Sequence, residues 1–255
     1  MNALIAPGLR RGTLWRVYWR SLFIQAGFSP EALQTLGLLY ALQPALEELY
    51  PDEGPRREAV RRHLVPFNTH PYVAAALVGG ILYHEQRIAR GEEPPEAVIH
   101  FKRSLMGPLA AVGDGFFWLS LRPATGALAA ALAPFLMAWA ALIFLVLYNA
   151  IHLSLRARLF LFGWRFGDGL VSKVSQVKLP MWGNRLRTLA AACSGAVGSW
   201  LALRFGSEAT GLTPFLSGGA LTVGVIALVL VERGMRPITL MYVLALLAII
   251  AGVLI

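Results

Sequence analysis

Asn68, Thr69 and His70 form a short polar run that ends at Pro71, directly before an apolar stretch. Because proline disfavours a helical conformation in the residue before it, the run is expected to form a turn. A helix that starts at Pro71 would point its free amide donors at whatever the turn holds. Asparagine donates and accepts hydrogen bonds and threonine adds a hydroxyl, which suits a ligand rich in hydroxyl groups, such as a sugar. The alternative is a helix cap that satisfies only its own backbone.

Asp114 stands between two glycines inside an otherwise apolar stretch. A carboxylate at membrane depth is costly unless it is paired or hydrogen-bonded. We therefore interpret Asp114 as an acceptor for a ligand hydroxyl or a gate, or else as a helix cap that uses amides freed by the glycines. Lys102 and Arg103 are interpreted as lipid anchors at the cytoplasmic lip of this stretch or as partners of Asp114. Glu85 is either a solvated helix end or a polar contact with the ligand.

Motifs for covalent catalysis and for metal binding are missing from the sequence. It has no phosphate-binding Gly-x-x-x-x-Gly-Lys-Ser/Thr loop and no Gly-x-Ser-x-Gly elbow, and its histidines are scattered without zinc-ligand spacing. The single cysteine, Cys193, is interpreted as a packing residue, and it excludes an internal disulfide and a cysteine-based metal cluster. We therefore expect no catalytic residue, no metal and no cofactor in this chain.

The elements that hold these residues are expected to lie in a membrane. Of 255 residues, 56% are hydrophobic and 15% are charged, and the mean hydropathy of +0.59 is too high for an ordinary soluble domain. Several stretches with little or no charge approach the length of about 20 residues that a spanning helix needs. We predict spanning helices at residues 128–147, 188–203, 210–231 and 237–255.

Basic residues outside the apolar stretches predict the orientation of the chain. The net charge is +9, but membrane proteins collect lysine and arginine in their cytoplasmic loops, so this charge does not indicate a nucleic-acid partner. The basic clusters lie at residues 156–187 and 232–236, which are predicted to be inside, with the C-terminus outside. No apolar run precedes Trp15, so no signal peptide is predicted.

Two short apolar segments are predicted to enter the membrane without crossing it. Residues 72–82 are too few for a span, and residues 105–121 are interrupted by Gly-Pro and Gly-Asp-Gly. Both are predicted to be re-entrant half-helices that turn and leave on the same side. Residues 14–26 are predicted to form an amphipathic helix, either in the membrane interface or docked on a partner domain, followed by helices at 29–49 and 56–64.

The same two motifs resemble those of the IID membrane components of mannose/fructose/sorbose-type sugar phosphotransferase systems. That family shows Phe-Asn-Thr-Gln/His-Pro, which matches Phe67 to Pro71 here. It also shows Ile-Lys-x-Gly-Leu-Met-Gly-Pro-Leu-Ala-Gly-hydrophobic-Gly-Asp, which this chain follows from Phe101 to Asp114, and then the pairs Phe117-Trp118 and Arg122-Pro123. Gln25 also matches a family position. Two long motifs in order and at matching spacing make the resemblance specific.

The resemblance implies an all-α integral membrane protein, with interfacial and re-entrant half-helices followed by about four transmembrane helices. Residues 1–127 would form half of a sugar-binding core, and residues 128–255 a spanning scaffold. The implied function is that of a permease subunit of a phosphoenolpyruvate-dependent sugar phosphotransferase system in the bacterial inner membrane. The subunit would share the sugar path with a IIC chain.

The implied partners are a IIC membrane subunit in a hetero-oligomer, the soluble IIA and IIB phosphocarriers, the sugar and membrane lipid. Phosphohistidine belongs to the soluble components in this family, so His70 is expected to form hydrogen bonds and not to be phosphorylated. The implied substrate-binding residues are Asn68, Thr69, His70, Asp114, Glu85 and Gln25. The alternative function is that of a non-transporting membrane partner that docks or senses the soluble components.

The sequence departs from the family pattern at positions that border the expected site. Residues 26–28 read Ala-Gly-Phe in place of the usual Ser-Trp-Asn. Ser104 replaces the glycine before Leu-Met-Gly-Pro, and Gly115 stands where proline or serine is usual. The predicted external loop at about 204–213 is also short. The first three departures bear on which sugar is bound. The short loop bears on the external contacts of the chain in the assembly.

Overall fold

The computed structural model describes most of the chain, namely residues 8–208, 226, 229–230, 233–235, 239–240 and 242–246. Within the described residues the regular backbone is helical, and the extended contacts are isolated bridges of Leu33 with Ser29 and with Phe67. The all-α class that the sequence predicts is confirmed.

The N-terminal part contains helices α1 (Arg11–Ser21), α2 (Thr35–Leu49), α3 (Glu53–His63) and α4 (Ala74–Ala89). The predicted start of the second helix at residue 29 is wrong. Leu33 takes a positive φ of 56°, so the chain turns there and α2 begins two residues later. The polar residues after 82 were predicted to end a half-helix, but they lie within α4.

Helix α1 has one buried face and one exposed face. The structure buries Tyr18 and leaves Trp15 and Trp19 exposed. The helix buries Leu14 and Val17 beside Tyr18, because these positions at spacings of three and four residues lie on one side of a helix. The exposed aromatic side chains therefore form a separate outer stripe.

The second motif lies in one uninterrupted helical rod. Helix α5 (Glu96–Gly113) passes into a π-helical segment (Asp114–Leu121), which passes into α6 (Arg122–Leu136). The turn predicted within residues 105–121 is therefore wrong, and the chain does not fold back there. Each backbone group at membrane depth needs a partner, and a widened helix keeps the backbone bonded where glycine and proline alone would favour a turn.

The predicted span at 128–147 is divided between two helices. Helix α6 ends at Leu136, Met137 takes a positive φ of 49°, and helix α7 (Ala138–Phe166) begins directly after it. Pro134 has no amide hydrogen to continue the ladder of α6, which favours an end to the helix close to this point.

Residues 156–187 were predicted to be a basic loop, but they are largely helical. Helix α7 continues to Phe166, and a short 3₁₀ turn leads to α8 (Leu170–Gln176) and α9 (Leu179–Glu208). The basic side chains here are interleaved with apolar residues that are buried, among them Leu159 and Phe160. Packing of those apolar residues holds the region in helices despite its charge. The cytoplasmic placement of this region stays a prediction.

Helix α4 lies at the centre of the packing. Every residue from Val73 to Leu82 is buried. Helix α7 approaches it through small residues: a Cβ added at Gly79 would lie 2.1 Å from the carbonyl oxygen of Phe160, and one added at Gly163 would lie 2.0 Å from that of Ala76. The two backbones are therefore in direct contact, and glycine is required on both sides.

Two helical stretches in the described residues, Glu96–Leu136 and Ala138–Leu201, are long and apolar enough to cross a membrane. The predicted span at 188–203 lies within α9, whereas those at 210–231 and 237–255 lie largely outside the described residues. The chain divides into one compact unit that ends at Cys193 and a second that begins at Ser194. The sequence also predicts a division after residue 127, between a sugar-binding part and a spanning scaffold. That division concerns function and stays a prediction.

Candidate functional site

The structure brings the two sequence motifs into direct contact. A Cβ added at Gly113 would lie 2.4 Å from the Cβ of His70, so only glycine allows α5 to approach this closely. The His70 ring stacks on Phe117, with centroids 5.0 Å apart and planes 17° apart, and lies 5.0 Å from the Trp118 ring. The segment from Asn68 to His70, called here the Asn68–His70 turn, therefore packs on the start of the π-helical segment.

The backbone of this turn is held by the start of α2. The side-chain amide of Gln34 donates to the Thr69 carbonyl oxygen at 2.7 Å and accepts from the Thr69 amide at 3.1 Å. The Gln34 backbone amide donates to the Phe67 carbonyl oxygen at 2.8 Å, and the Thr35 hydroxyl accepts from the Phe67 amide at 3.1 Å. The chain is thus anchored at Phe67 and at Thr69 before it reaches α4.

The three polar side chains of the turn differ in exposure and in hydrogen bonding. His70 Nδ1 accepts from the Tyr72 amide at 3.2 Å, which fits the helix-cap interpretation for this residue. Asn68 is exposed, and Thr69 Oγ1 and His70 Nε2 are buried without a hydrogen-bond partner among the described residues. An unpartnered buried polar atom costs about 1–3 kcal/mol. The turn therefore carries hydrogen-bonding capacity that its own fold does not use.

The charge state of His70 follows from its surroundings. Burial, followed by the positive charge of Arg156, lowers the pKa of His70 to about 4. The imidazole is therefore neutral at neutral pH. Because Nδ1 accepts the Tyr72 amide hydrogen, the ring proton lies on Nε2, which makes that atom a donor. This agrees with the expected hydrogen-bonding role.

Asp114 and Gln25 both lie at the surface of the chain. Asp114 is the first residue of the π-helical segment, and its side chain makes no hydrogen bond or ion pair within the part of the chain that the structure describes. It is not a helix cap, because the helix continues through it, and its predicted pairing with Lys102 or Arg103 is not formed. Gln25 is exposed in the turn that follows α1.

Glu85 and Lys102 belong to a second polar cluster, called here the Lys102 cluster, at the end of α3. Glu85 was predicted to be a solvated helix end or a ligand contact, and Lys102 to be a lipid anchor or a partner of Asp114. Both are instead buried, with exposed fractions of 0% and 2%. About 16 Å of helix separates Glu85 from Ala74 at the start of α4, so the cluster lies apart from the Asn68–His70 turn.

The Lys102 cluster is a continuous chain of hydrogen bonds. The Lys102 ammonium donates to His63 Nδ1 and to the Arg62 carbonyl oxygen, both at 2.9 Å. His63 Nε2 donates to Glu85 Oε1 at 2.9 Å, which Arg62 Nε approaches to 3.1 Å. The Tyr50 hydroxyl donates to Glu85 Oε2 at 2.7 Å. Both carboxylate oxygens therefore have partners in the protein.

The environment of the cluster sets its charges. Burial would raise the pKa of Glu85, but the His63 hydrogen bond and the Arg62 charge outweigh burial and hold this pKa below its usual range. Burial lowers the pKa of His63, and the Lys102 charge acts in the same direction. The cluster thus contains an ionised Glu85 and a neutral His63 that donates from one nitrogen and accepts at the other.

Residues on α7 lie close to the turn, and the sequence did not identify them. The His152 ring stacks on Tyr72 with centroids 4.4 Å apart, and the Arg156 guanidinium lies 5.9 Å from the Tyr72 ring centre. Arg156 is buried and donates to the carbonyl oxygen of Ser21 at the end of α1. It was interpreted as part of a basic loop. The spacing of four residues from His152, which places both on one helix face, is the signal that could have found the pair.

The helical fold, with long apolar stretches that are largely exposed, defines an integral membrane protein. Residues 8–255 match the model of the "PTS system mannose/fructose/sorbose family IID component". The chain therefore belongs to the IID components of the mannose/fructose/sorbose family of phosphotransferase systems. The resemblance carried by the two motifs is confirmed.

Curated relatives agree with this assignment. The chain is 38% identical to the mannose-specific EIID component of Escherichia coli K12 over 157 residues, which is 61% of this chain and 56% of that protein. It is 34% identical to the fructose permease IID component of Bacillus subtilis over 182 residues, or 71% of this chain and 64% of that protein. The alignments thus span somewhat more than half of the length of these relatives.

Solved structures share the fold over nearly the whole chain. One is the mannose transporter ManYZ in complex with microcin E492, with a TM-score of 0.61 and 27% identity over 96% of this chain and 97% of that one. Another, described as a membrane protein, has a TM-score of 0.71 and 27% identity over 97% of this chain and 98% of that one.

Proposed function

We propose that this chain is the IID subunit of a mannose-type phosphoenolpyruvate-dependent sugar phosphotransferase system and forms the sugar path together with a IIC subunit. The observation that carries the proposal is the contact between the two family motifs, in which His70 packs on Gly113. Asn68 and Asp114 stay exposed beside this contact. Family membership and the names of the relatives supply the substrate class.

In this function the chain binds the sugar and does no covalent chemistry. Asn68 supplies both donors and acceptors, and Asp114 supplies acceptors, which together match hydroxyl groups that donate and accept. His70 Nδ1 accepts from the Tyr72 amide, so the ring proton lies on Nε2, and the ring stacks on Phe117. Neither ring nitrogen then offers a free lone pair to a phosphoryl group, which suits a hydrogen-bonding role. The phosphoryl group would come from the soluble IIB component, which receives it from IIA.

The IIC subunit would complete the site. Asn68, Asp114 and Gln25 are exposed on this chain alone, and polar groups at membrane depth need a protein or aqueous surrounding. A related solved structure is that of a transporter, ManYZ. We therefore expect an obligate hetero-oligomer with a IIC-like chain, and isolation of this chain as a stable, monodisperse protein without a partner would contradict it.

Membrane lipid is a further proposed partner, at the outer stripe of α1. Trp15, Trp19 and Phe23 are exposed by 60%, 48% and 60%, and Arg20 stacks on the exposed Tyr40 at 4.6 Å. Exposed tryptophans beside arginine suit a helix that lies in the membrane interface. Brominated lipids should quench tryptophan fluorescence less in a variant with both tryptophans replaced by phenylalanine. Equal quenching would favour docking of α1 on a partner protein.

The chain is proposed to be a multi-pass protein of the bacterial cytoplasmic membrane with residues 156–187 inside. Lys173→Cys and Ser207→Cys, each in a Cys193→Ala background, test this orientation. An impermeant thiol reagent applied to intact cells should label position 207 and not position 173. Labelling at position 173 alone would reverse the topology.

The central experiment is sugar uptake by cells that hold the IIC and soluble components, with and without this chain. Asn68→Ala should weaken uptake of the transported sugar about tenfold to a hundredfold in apparent affinity, while the complex still assembles. Asn149→Ala on α7 is the matched control and should behave like the wild type. If the chain binds the soluble components but uptake does not depend on it, the docking or sensing function applies instead.

A further inference from the structure

Gln34 holds the centre of the Asn68–His70 turn from another part of the chain. It is 1% exposed, and its side-chain amide engages both the amide and the carbonyl group of Thr69, at 3.1 and 2.7 Å. Two hydrogen bonds of opposite sense to one residue fix the direction of the backbone on both sides of it. Asn68 and His70 are the neighbours whose side chains this direction sets.

Local requirements of α2 do not explain a glutamine at this position. Gln34 is the residue that precedes the first turn of α2, where serine, threonine, aspartate and asparagine are favoured because they cap the helix. Its side chain makes no cap hydrogen bond to α2 and reaches instead to Thr69. The contact joins residues 35 positions apart in the sequence, so it serves the turn rather than the helix.

Several contacts fix the backbone conformation around Gln34. Leu33, directly before it, has a φ of 56°, which is a strained value for a leucine. Leu33 forms bridges with Ser29 and with Phe67, and the Gln34 amide donates to the Phe67 carbonyl oxygen. These contacts hold the strained conformation, and they place the Gln34 side chain beside Thr69.

We propose that Gln34 is a positioning residue for sugar binding, which acts through the Asn68–His70 turn without touching the sugar. The proposal rests on the function proposed above. It also specifies the chemistry required at position 34, namely one donor and one acceptor on a side chain of glutamine length. Gln34→Glu keeps the acceptor but sets a carboxylate against the Thr69 carbonyl oxygen, and Gln34→Met keeps the length but loses both groups.

Uptake kinetics in membrane vesicles that contain the whole complex test the proposal, with mannose, fructose and sorbose as probes. Gln34→Glu and Gln34→Met should each raise the KM for the transported probe about tenfold. Maximal uptake per assembled complex should change little. Gln43→Glu and Gln43→Met are matched controls, because Gln43 is an exposed glutamine of α2 whose side chain forms hydrogen bonds with Arg20 and Glu47. Their KM should equal that of the wild type.

A double variant separates positioning from general stability. If Gln34 acts through the turn that holds Asn68, Gln34→Met combined with Asn68→Ala should raise KM by clearly less than the two single effects together. Additive effects would overturn the proposal, as would a normal KM in both Gln34 variants while Asn68→Ala raises it. Failure of both Gln34 variants to assemble with IIC would make Gln34 a folding residue and would also overturn it. A normal KM in Asn68→Ala would instead contradict the proposed function itself.

Discussion

The Lys102 cluster and the Asn68–His70 turn both bury polar side chains, but they use their hydrogen-bonding groups differently. In the Lys102 cluster, His63 has partners at both ring nitrogens and Glu85 has partners at both oxygens. In the turn, Thr69 Oγ1 and His70 Nε2 have none among the described residues. Arg62 Nε of the Lys102 cluster also lacks a hydrogen bond, but it lies 3.1 Å from Glu85 Oε1, so its charge is paired. Pairing of this kind is expected where the groups hold helices together, and incomplete pairing where a ligand or partner supplies the rest.

The two clusters also differ in what fixes them. The Lys102 cluster joins side chains of α3, α4 and α5 to one another through charge. The turn is fixed through its backbone by Gln34, and the Thr69 hydroxyl and His70 Nε2 are left without a partner among the described residues. A substitution in the first cluster should therefore act on folding, and one in the second on binding.

The largest effect is expected for Glu85→Ala. Removal of this carboxylate leaves Lys102 and Arg62 as buried positive charges without their counter-charge, which should destabilise the complex by about 3–5 kcal/mol. Thermal unfolding of the detergent-solubilised complex measures the change. Glu53→Ala is the control, because the Glu53–Arg57 pair is exposed on both sides and should contribute less than about 1 kcal/mol. An unchanged unfolding temperature with lost sugar binding would show that Glu85 contacts the sugar.

Thr69→Val should weaken sugar binding without lowering the stability of the complex. Its hydroxyl has no partner among the described residues, so its removal should leave the unfolding temperature unchanged or slightly higher. Loss of a hydroxyl that binds sugar should cost about 1–3 kcal/mol in binding free energy. Isothermal titration with the transported sugar measures the second quantity. Normal sugar affinity in this variant would remove Thr69 from the site.

The lowered pKa of His63 should make the stability of the complex depend on pH. Because the pKa of buried His63 is lowered, the unfolded chain binds a proton below about pH 6.5 that the folded chain does not bind. Stability should therefore fall as the pH falls from 7.5 to 5.5, by at most about 1.4 kcal/mol per pH unit for this group. In His63→Gln the dependence of the unfolding temperature on pH should be weaker. Equal slopes in both proteins would mean that the pKa of His63 is the same in the folded and the unfolded chain.

The smallest effect is expected for His70→Gln. Glutamine also donates and accepts, and it is familiar in the family motif at this position, so sugar affinity should fall by less than about tenfold. Some stability should be lost, because the stacking contact of His70 with Phe117 disappears. Uptake kinetics check the first point. Complete loss of uptake in an assembled complex would require a different role for His70.

The fold class was predictable because its signals are local, whereas the sugar-binding role of the site residues stays a prediction. Apolar length predicts membrane helices, and the glycines and prolines of both motifs indicate close packing or turns. The contact between His70 and Gly113 agrees with the expectation that the motifs act together. Glycine and proline do not reveal whether a helix breaks or widens, and here the requirement for backbone hydrogen bonds favours the continuous helix.

The buried charges were not predictable, because their partners are distant in sequence. Lys102 meets His63 across 39 positions, and Arg156 meets Ser21 across 135 positions. Hydropathy assigns every lysine and arginine to a surface or a loop, since an unpaired charge is costly inside a protein. Only the packing of the helices reveals that a partner is present. The sequence therefore placed Lys102 at the cytoplasmic lip of a membrane segment and Arg156 in a cytoplasmic loop.

The π-helical segment Asp114–Leu121 also bears on how the length of this chain can change. An α-helix turns by about 100° per residue, so a one-residue deletion within α5 or α6 would rotate everything beyond it onto a different face. A π-helical stretch accommodates an additional residue in its turn, and a deletion inside it can be absorbed by a return to α geometry. Lys102 before the segment and the residues of α6 after it would then stay on the same faces of the helical rod. A one-residue deletion should therefore disturb the facing of the flanking helices less in this segment than within α5 or α6.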